Sequence, residues 1–171
     1  MTMEKTVAAA ALLVVVMCGC ATGAYRGSVR DVGLEAANYT ENYITDFSIG
    51  MGKNKNLRFA GTEVKQFSKG GTGGGVCCFS GAGPGEEVMV EWRTGKRDDP
   101  ESQWARHSTV TRAIGSAPDD PHSNVTFIVR FFPGDRVEGE YLVQELKPDS
   151  TLNPRFDALF SGRLVMRHVG E

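Results

Sequence analysis

The sequence lacks an excess of charge of either sign, with 19 Lys and Arg residues against 21 Asp and Glu residues and a formal net charge of −2. A protein that binds nucleic acid needs a basic surface to neutralise phosphate groups. The charge balance gives no such surface. We therefore expect no nucleic-acid partner.

Motifs for catalysis are also missing. The three histidines, His107, His122 and His168, lie in no metal-binding or nucleophile motif. Asp119 and Asp120 before Pro121-His122 could supply metal ligands, but this pattern is more typical of a solvated turn. No serine lies in a Gly-x-Ser-x-Gly elbow, and the glycines of 70–75 lack the Lys-Ser/Thr ending of a phosphate-binding loop. We predict a protein that is not an enzyme, with no catalytic residues, metal or cofactor.

No hydrophobic run is long enough to span a membrane. The longest, Val7–Met17, would rise only about 16 Å as a helix, against a hydrocarbon core of about 30 Å. With Lys5 before it, the run has the form of a secretory signal peptide. Gly19-Cys20 resembles the processing site of bacterial lipoproteins, in which the cysteine is lipidated before cleavage. Cys18 is the weaker alternative because Met17 before it is bulky, and ordinary secretion with a free Cys20 is the other.

Three segments follow from this interpretation: a lipoprotein signal peptide at 1–19, a lipidated tether at 20–33 and a single β domain at 34–171. Ala21 and Thr22 follow the cysteine in place of the aspartate that resembles an inner-membrane retention signal. The expected location is therefore the outer membrane, with the protein anchored by lipid and facing the periplasm.

Cysteine is scarce as well, with four residues in the chain. Removal of Cys18 and lipidation of Cys20 would leave only the neighbours Cys77 and Cys78, so no ordinary long-range disulfide can form. A vicinal disulfide is possible but strained. We predict two buried thiols for this pair, with the disulfide as the alternative.

Short alternating segments between Gly, Pro and Asp turns predict an all-β fold, either an antiparallel sandwich or an open barrel. The apolar run 76–79 is expected to form a hairpin with the alternating segment 87–93, and the glycine stretch 70–75 to form a flexible hairpin tip. Strands are predicted at 39–49, 87–93, 104–113, 125–132, 137–146 and 160–169. A helix is the alternative for 104–113.

Most aromatic residues have strand-like spacing and are predicted to be core. Trp104 is different because it lies in a polar loop beside Arg106. Tryptophan and arginine are enriched at interface hot spots. Trp104, Arg106 and Arg97 are therefore the candidate partner-binding residues, with Trp104 as an exposed anchor.

The region from about residue 38 to 93 resembles a family of small bacterial lipoproteins of unknown function. The most specific feature is a glycine-rich approach to a double cysteine. The matching segments are Asn38–Ile49, Gly73–Cys78, Pro84-Gly85 and Val88–Trp92.

The resemblance implies a functional context, because several such lipoproteins are thought to be periplasmic immunity proteins against lipase effectors of the type VI secretion system. We therefore expect a membrane-anchored lipoprotein that binds and neutralises a secreted lipase or phospholipase. The alternatives are a structural or scaffolding envelope lipoprotein and a carrier of small apolar ligands.

Overall fold

The computed structural model describes residues 27–51, 58–75, 77–120, 122–145, 153–161 and 165–166. The prediction of an all-β fold is confirmed. The signal peptide and most of the tether lie outside the described residues. The strands are β1 (Ser28–Asn38), β2 (Ile44–Met51), β3 (Arg58–Gly61), β4 (Thr72–Gly74), β5 (Phe79–Ala82), β6 (Glu87–Thr94), β7 (Ala105–Gly115), β8 (Asn124–Phe132), β9 (Arg136–Gln144), β10 (Phe160–Ser161) and β11 (Val165–Met166).

Helical structure is confined to short elements within the described chain. The α-helix α1 covers Pro154–Leu159, and single 3₁₀ turns cover Phe67–Lys69 and Glu101–Gln103. In this part of the chain, no helix combines the length and the apolar character needed to cross a membrane.

The main sheet has nine strands in the order β3-β2-β6-β7-β9-β8-β1-β4, with β5 beside β4 on the same edge of β1. A bridge between Gly61 and Gly75 joins the two ends of this order. The sheet is therefore a nearly closed barrel, one of the two predicted architectures. The pairs β1–β8 and β7–β9 are parallel, so the sheet is mixed and not purely antiparallel.

Alternation of side chains fills the barrel interior. Every second residue of β2, β6 and β8 points inward, as in Phe47, Trp92 and Phe131, which are each at most 5 % exposed. The inward residues of β1 and β9 join the same cluster. Full burial of each large apolar side chain stabilises the fold by about 1.5–3 kcal/mol.

A second apolar cluster lies on the outer face of β1, β8 and β9. Ile128, Phe132 and Leu142 pack there against Leu159 of α1. Beside them, the buried Arg130 lies 2.9 Å from carboxylate oxygens of both Glu138 and Glu140. This half of the barrel is thus covered on its outer side, and the residues of β2, β3, β6 and β7 take no part in that cover.

The strand predicted at 39–49 is interrupted in the structure, because β1 ends at Asn38 and β2 begins at Ile44. The cause is the fully buried side chain of Asn38. It accepts hydrogen bonds from the backbone and the hydroxyl of Thr40 and donates to the carbonyl of Asn42. Such a side chain turns the backbone on itself. Residues 28–33, which the sequence analysis placed in the tether, belong to β1.

The predicted hairpin of 76–79 with 87–93 is wrong. Strand β5 pairs with β1, and β6 lies between β2 and β7. The glycine stretch is not a hairpin tip either, because Thr72–Gly74 form β4 beside β1. A Cβ added at Gly73 would clash with the carbonyl oxygen of Glu63 and with Val64. The glycines therefore allow a close approach of backbone segments.

The remaining predicted strands are present in the structure, although their first and last residues differ from the prediction. The segment 104–113 forms the strand β7 and not the alternative helix. The last predicted strand, 160–169, is represented by β10 and β11. Its other residues lie outside the described chain. The helix α1, just before it, was not predicted.

We expect Gly73→Ala to lower the free energy of unfolding by about 1–3 kcal/mol, because the new methyl group overpacks the contact with Glu63 and Val64. Gly74→Ala is the matched control, since nothing lies within 4 Å of a Cβ added there. Urea denaturation of both variants tests this. Equal stability of the two variants would contradict the close-approach explanation.

Candidate functional site

The two ends of the barrel differ. One end, called the loop end here, consists of residues 39–43, 95–104 and 133–135, which connect adjoining strand ends. The chain reaches β1 at the opposite end, where Ser28 pairs with Ala82. All three predicted partner-binding residues, Trp104, Arg106 and Arg97, lie at or next to the loop end.

Trp104 is half-buried, which corrects the prediction of an exposed anchor. Its indole Nε1 donates a hydrogen bond of 3.1 Å to the carbonyl of Asp99. The ring also packs against Gly95, where an added Cβ would clash with it. The guanidinium of Arg93 lies over the ring, 4.9 Å from its centroid. Trp104 therefore supports a neighbouring arginine and fixes the 95–104 loop.

Arg93 is the centre of a charged cluster that the sequence analysis did not identify. Its Nε lies 2.9 and 3.0 Å from the two carboxylate oxygens of Asp46, and it also pairs with Glu101. The hydrogen bond to Asp46 is the main cause that raises the pKa of Arg93 above its usual value. Its charge is thus permanent and is neutralised within the domain.

Arg97 is exposed at the rim of a cavity of about 760 Å³ at the loop end. Its Nε lies 3.6 Å from a carboxylate oxygen of Glu63, which also accepts a hydrogen bond from Tyr43. Desolvation, with a further contribution from this hydrogen bond, raises the pKa of Tyr43 to about 12. The cavity is therefore lined by a polar network and is suited to polar groups.

A hydroxyl, an imidazole and a carboxylate lie in series beside this cavity. Nε2 of His107 is 2.9 Å from Oγ1 of Thr94, and Nδ1 is 3.2 Å from Oδ1 of Asp135. The imidazole stacks on Trp92 with a centroid distance of 5.1 Å. This order of groups can orient a histidine, and here it also ties β6, β7 and the β8–β9 turn together.

Sequence reasoning missed this series because the three residues come from separate strands and a turn. The available signal was the Pro133-Gly134-Asp135 turn, which follows the strand predicted at 125–132. Gly134 and Asp135 both have positive φ, which suits hairpin turns. That signal places Asp135 at the loop end but does not indicate that His107 lies opposite.

A groove of about 570 Å³ runs along the outer face of β2, β3, β6 and β7. Arg106 lies on its rim and is exposed. Arg106 lies opposite Arg93 of β6, and the next pair on this face consists of Ser108 of β7 and Glu91 of β6. Of the three candidate residues, Arg106 is therefore the one with an exposed side chain on a shaped surface outside the loops.

The structure joins Cys77 and Cys78 in a disulfide, and both residues are exposed just before β5. The prediction of two buried thiols is wrong, because both side chains are exposed. Cys20, the predicted lipidation site, lies outside the described residues. Within the described ranges, no group of three His, Cys, Asp or Glu side chains is placed to hold a metal ion.

The chain matches a family of proteins of unknown function, DUF3304, over residues 37–138. The match covers more than half of the chain, and the protein belongs to this family. It includes the region that carries the double cysteine and extends through β8 to β9. No curated protein and no solved structure is significantly similar to the chain.

The pKa of Tyr43 predicts a loss of stability at high pH. An unfolded chain ionises its tyrosines near pH 10, whereas Tyr43 in the folded domain ionises at about 12. The native state disfavours the phenolate. The stability from this group is therefore fully present below about pH 10 and is lost as the pH rises towards 12.

Tyr43→Phe should accordingly make the free energy of unfolding less dependent on pH in this window. Urea denaturation across the window, with phenolate absorbance followed in parallel, measures it. Glu63→Gln is the matched variant, because it retains an acceptor for Tyr43 and removes the charge. A wild-type Tyr43 that titrates at its ordinary pKa would contradict the prediction.

Proposed function

We propose that this protein is a lipoprotein, anchored by Cys20 in the outer membrane and facing the periplasm, that binds and neutralises a secreted lipase or phospholipase effector. The observation that carries the proposal is the signal-peptide pattern that ends at Gly19-Cys20. The family name assigns no activity, and the proposed role follows from the resemblance to type VI immunity lipoproteins.

The position of β1 supports this arrangement. The eight residues from Ala21 to Ser28 span at most about 28 Å at full extension. A lipid at Cys20 would therefore keep the β1 end of the barrel close to the membrane. The loop end, with Arg97 and its cavity, would face away from the anchor. A tether of this kind raises the local concentration of a neutraliser at the surface that the lipase attacks.

The filled interior favours a binding protein over a carrier of small apolar ligands. Val32, Val90, Phe127 and Val129 are each 0 % exposed inside the barrel. Cavities of about 760 and 570 Å³ lie at the loop end and on the outer face, and both have charged residues in their linings. An apolar ligand site needs a mostly apolar pocket of several hundred cubic ångströms.

We expect Cys20→Ser to release the protein from the membrane fraction, because the variant cannot be acylated at residue 20. Each methylene of an acyl chain buried in the bilayer stabilises attachment by about 0.8 kcal/mol. Fractionation of cells and mass spectrometry of the mature amino terminus measure this. Cys18→Ser is the control and should remain anchored. Membrane retention of the Cys20→Ser protein without acylation would contradict the anchor.

The inhibitory role is tested with the product of the adjacent gene, which the proposal requires to be a lipase effector. The domain without its signal peptide should co-purify with this effector and suppress hydrolysis of phospholipid vesicles, and the anchored protein should protect cells that export the effector. A domain that neither binds nor protects overturns the proposal. An envelope defect on deletion without any protection would favour the scaffolding role.

A further inference from the structure

We propose that the disulfide between Cys77 and Cys78 is a redox-active site on the surface of the barrel, which a dithiol reduces by thiol–disulfide exchange while the fold stays intact. The protein then has two chemical forms, disulfide and dithiol, that share one structure. The inference does not rest on the lipid anchor or on the proposed partner. It assigns a reaction to the double cysteine, which the proposed function leaves without a role.

The cysteines lie between two contacts of the edge of β1. At one contact, the backbone N–H of Gly75 donates a hydrogen bond of 2.8 Å to the carbonyl of Leu34. At the other, Phe79 of β5 pairs with Val32. Between these two contacts, β1 has a single residue, Gly33.

The opposite chain has more residues than β1 over the same stretch, because 76–78 lie across from this single residue. An excess of residues on one strand makes the chain bulge from a sheet. Cys77 and Cys78 belong to this excess, and both are exposed. The register of the sheet thus accounts for the position of the disulfide at the surface.

The residues beside the pair leave it accessible to a reagent. The glycines before it carry no side chain that could cover it, and nothing lies within 4 Å of a Cβ added at Gly74. Ser80, which follows closely, is also exposed. Structural disulfides of secreted proteins resist reduction, whereas exposed ones are the labile and regulatory ones. Exposure therefore places this disulfide in the reactive class.

The disulfide fastens no separate parts of the fold. Its two cysteines are neighbours in the sequence. In the chain-entropy account, a disulfide stabilises a protein by closing a loop of the unfolded chain, and the effect grows with the length of that loop. A bond between neighbours closes no such loop. Its reduction should therefore leave the stability of the barrel nearly unchanged.

The strands on either side of the pair are held by other contacts. On one side, a bridge joins Gly75 to Gly61, and β4 pairs with β1. On the other side, β5 pairs with β1, and Phe79 is 3 % exposed and stacks on Phe59 with a centroid distance of 4.7 Å. Opening of the disulfide therefore leaves β4 and β5 in place.

The reaction proceeds in two exchange steps. A thiolate of the dithiol attacks one sulfur of the pair and forms a mixed disulfide, while the other cysteine leaves as a thiolate and takes a proton from water. The second thiol of the reagent then attacks the mixed disulfide and releases the remaining cysteine. The dithiol is oxidised to a disulfide, and Cys77 and Cys78 are reduced to two thiols.

The test treats the folded mature protein with dithiothreitol at neutral pH and without denaturant. Free thiols are alkylated with iodoacetamide and located by mass spectrometry of the peptide that contains residues 77 and 78. We expect no alkylation of this peptide before reduction and two alkylated cysteines after it. The melting temperature of the reduced protein should lie within about 2 °C of that of the untreated protein. A parallel sample with reduced thioredoxin shows whether a protein dithiol also reaches the pair.

The double variant Cys77→Ser/Cys78→Ser is the matched control. Its peptide should take up no alkylating reagent, and it should melt like the wild type because the disulfide fastens no other segment. The single variants Cys77→Ser and Cys78→Ser each leave one exposed thiol. Both should form a mixed disulfide with glutathione disulfide in the folded protein.

Reduction that occurs only at urea concentrations that unfold the protein overturns the inference. A reduced wild type that loses its cooperative melting transition also overturns it, because the disulfide would then be structural. A pair that is alkylated before any reductant is added contradicts the disulfide form itself. Reduction of the folded protein by dithiothreitol with an unchanged melting transition supports the inference, and reduction by thioredoxin extends the co-reactant to protein dithiols.

Discussion

The contact of Phe131 with Phe47 and Trp92 joins the two halves of the barrel, and the rest of the structure depends on it. The ring centroids lie 5.8 and 5.5 Å apart. Phe131 belongs to β8, whereas the other two rings come from β2 and β6. Because β7 and β9 pair over only three residues on each strand, this aromatic packing compensates for a limited hydrogen-bonded connection. Trp92 then stacks on His107, so the same core contact positions the loop end.

The two halves of the barrel differ in how their outer faces are covered. The face of β1, β8 and β9 is covered by α1, and Glu140 there binds both Arg130 and Arg155. Among the residues that the structure describes, none of the second apolar cluster covers the face of β2, β3, β6 and β7, which retains a groove. The covered half supplies additional buried area of the kind that a small domain requires. The distribution of apolar side chains on the outer faces therefore separates a covered half from a half with an open groove.

Much of the fold follows from the sequence pattern. Alternation identified the strand regions that became β6, β7, β8 and β9, because the inward and outward directions of successive side chains are a property of the chain itself. Most of the aromatic residues expected in the core are buried there. The predictions failed at Asn38, where a buried side chain turns the backbone, and at 70–75, where glycines permit close packing of another segment. Asn38 is held in place partly by a hydrogen bond to the carbonyl of Lys65, and Gly73 packs against Glu63 and Val64, and neither contact can be seen in the local sequence.

The sequence by itself determined the all-β class, and it carries the pattern from which a lipoprotein signal peptide at 1–19 is predicted. These are encoded in composition, periodicity and local order. Only the tertiary structure decided which strands pair, that Trp104 supports Arg93, and that His107 lies between Thr94 and Asp135. The reason is physical: alternation fixes which face a side chain occupies, but pairing order depends on contacts between segments far apart in the chain, and those contacts exist only once the barrel closes.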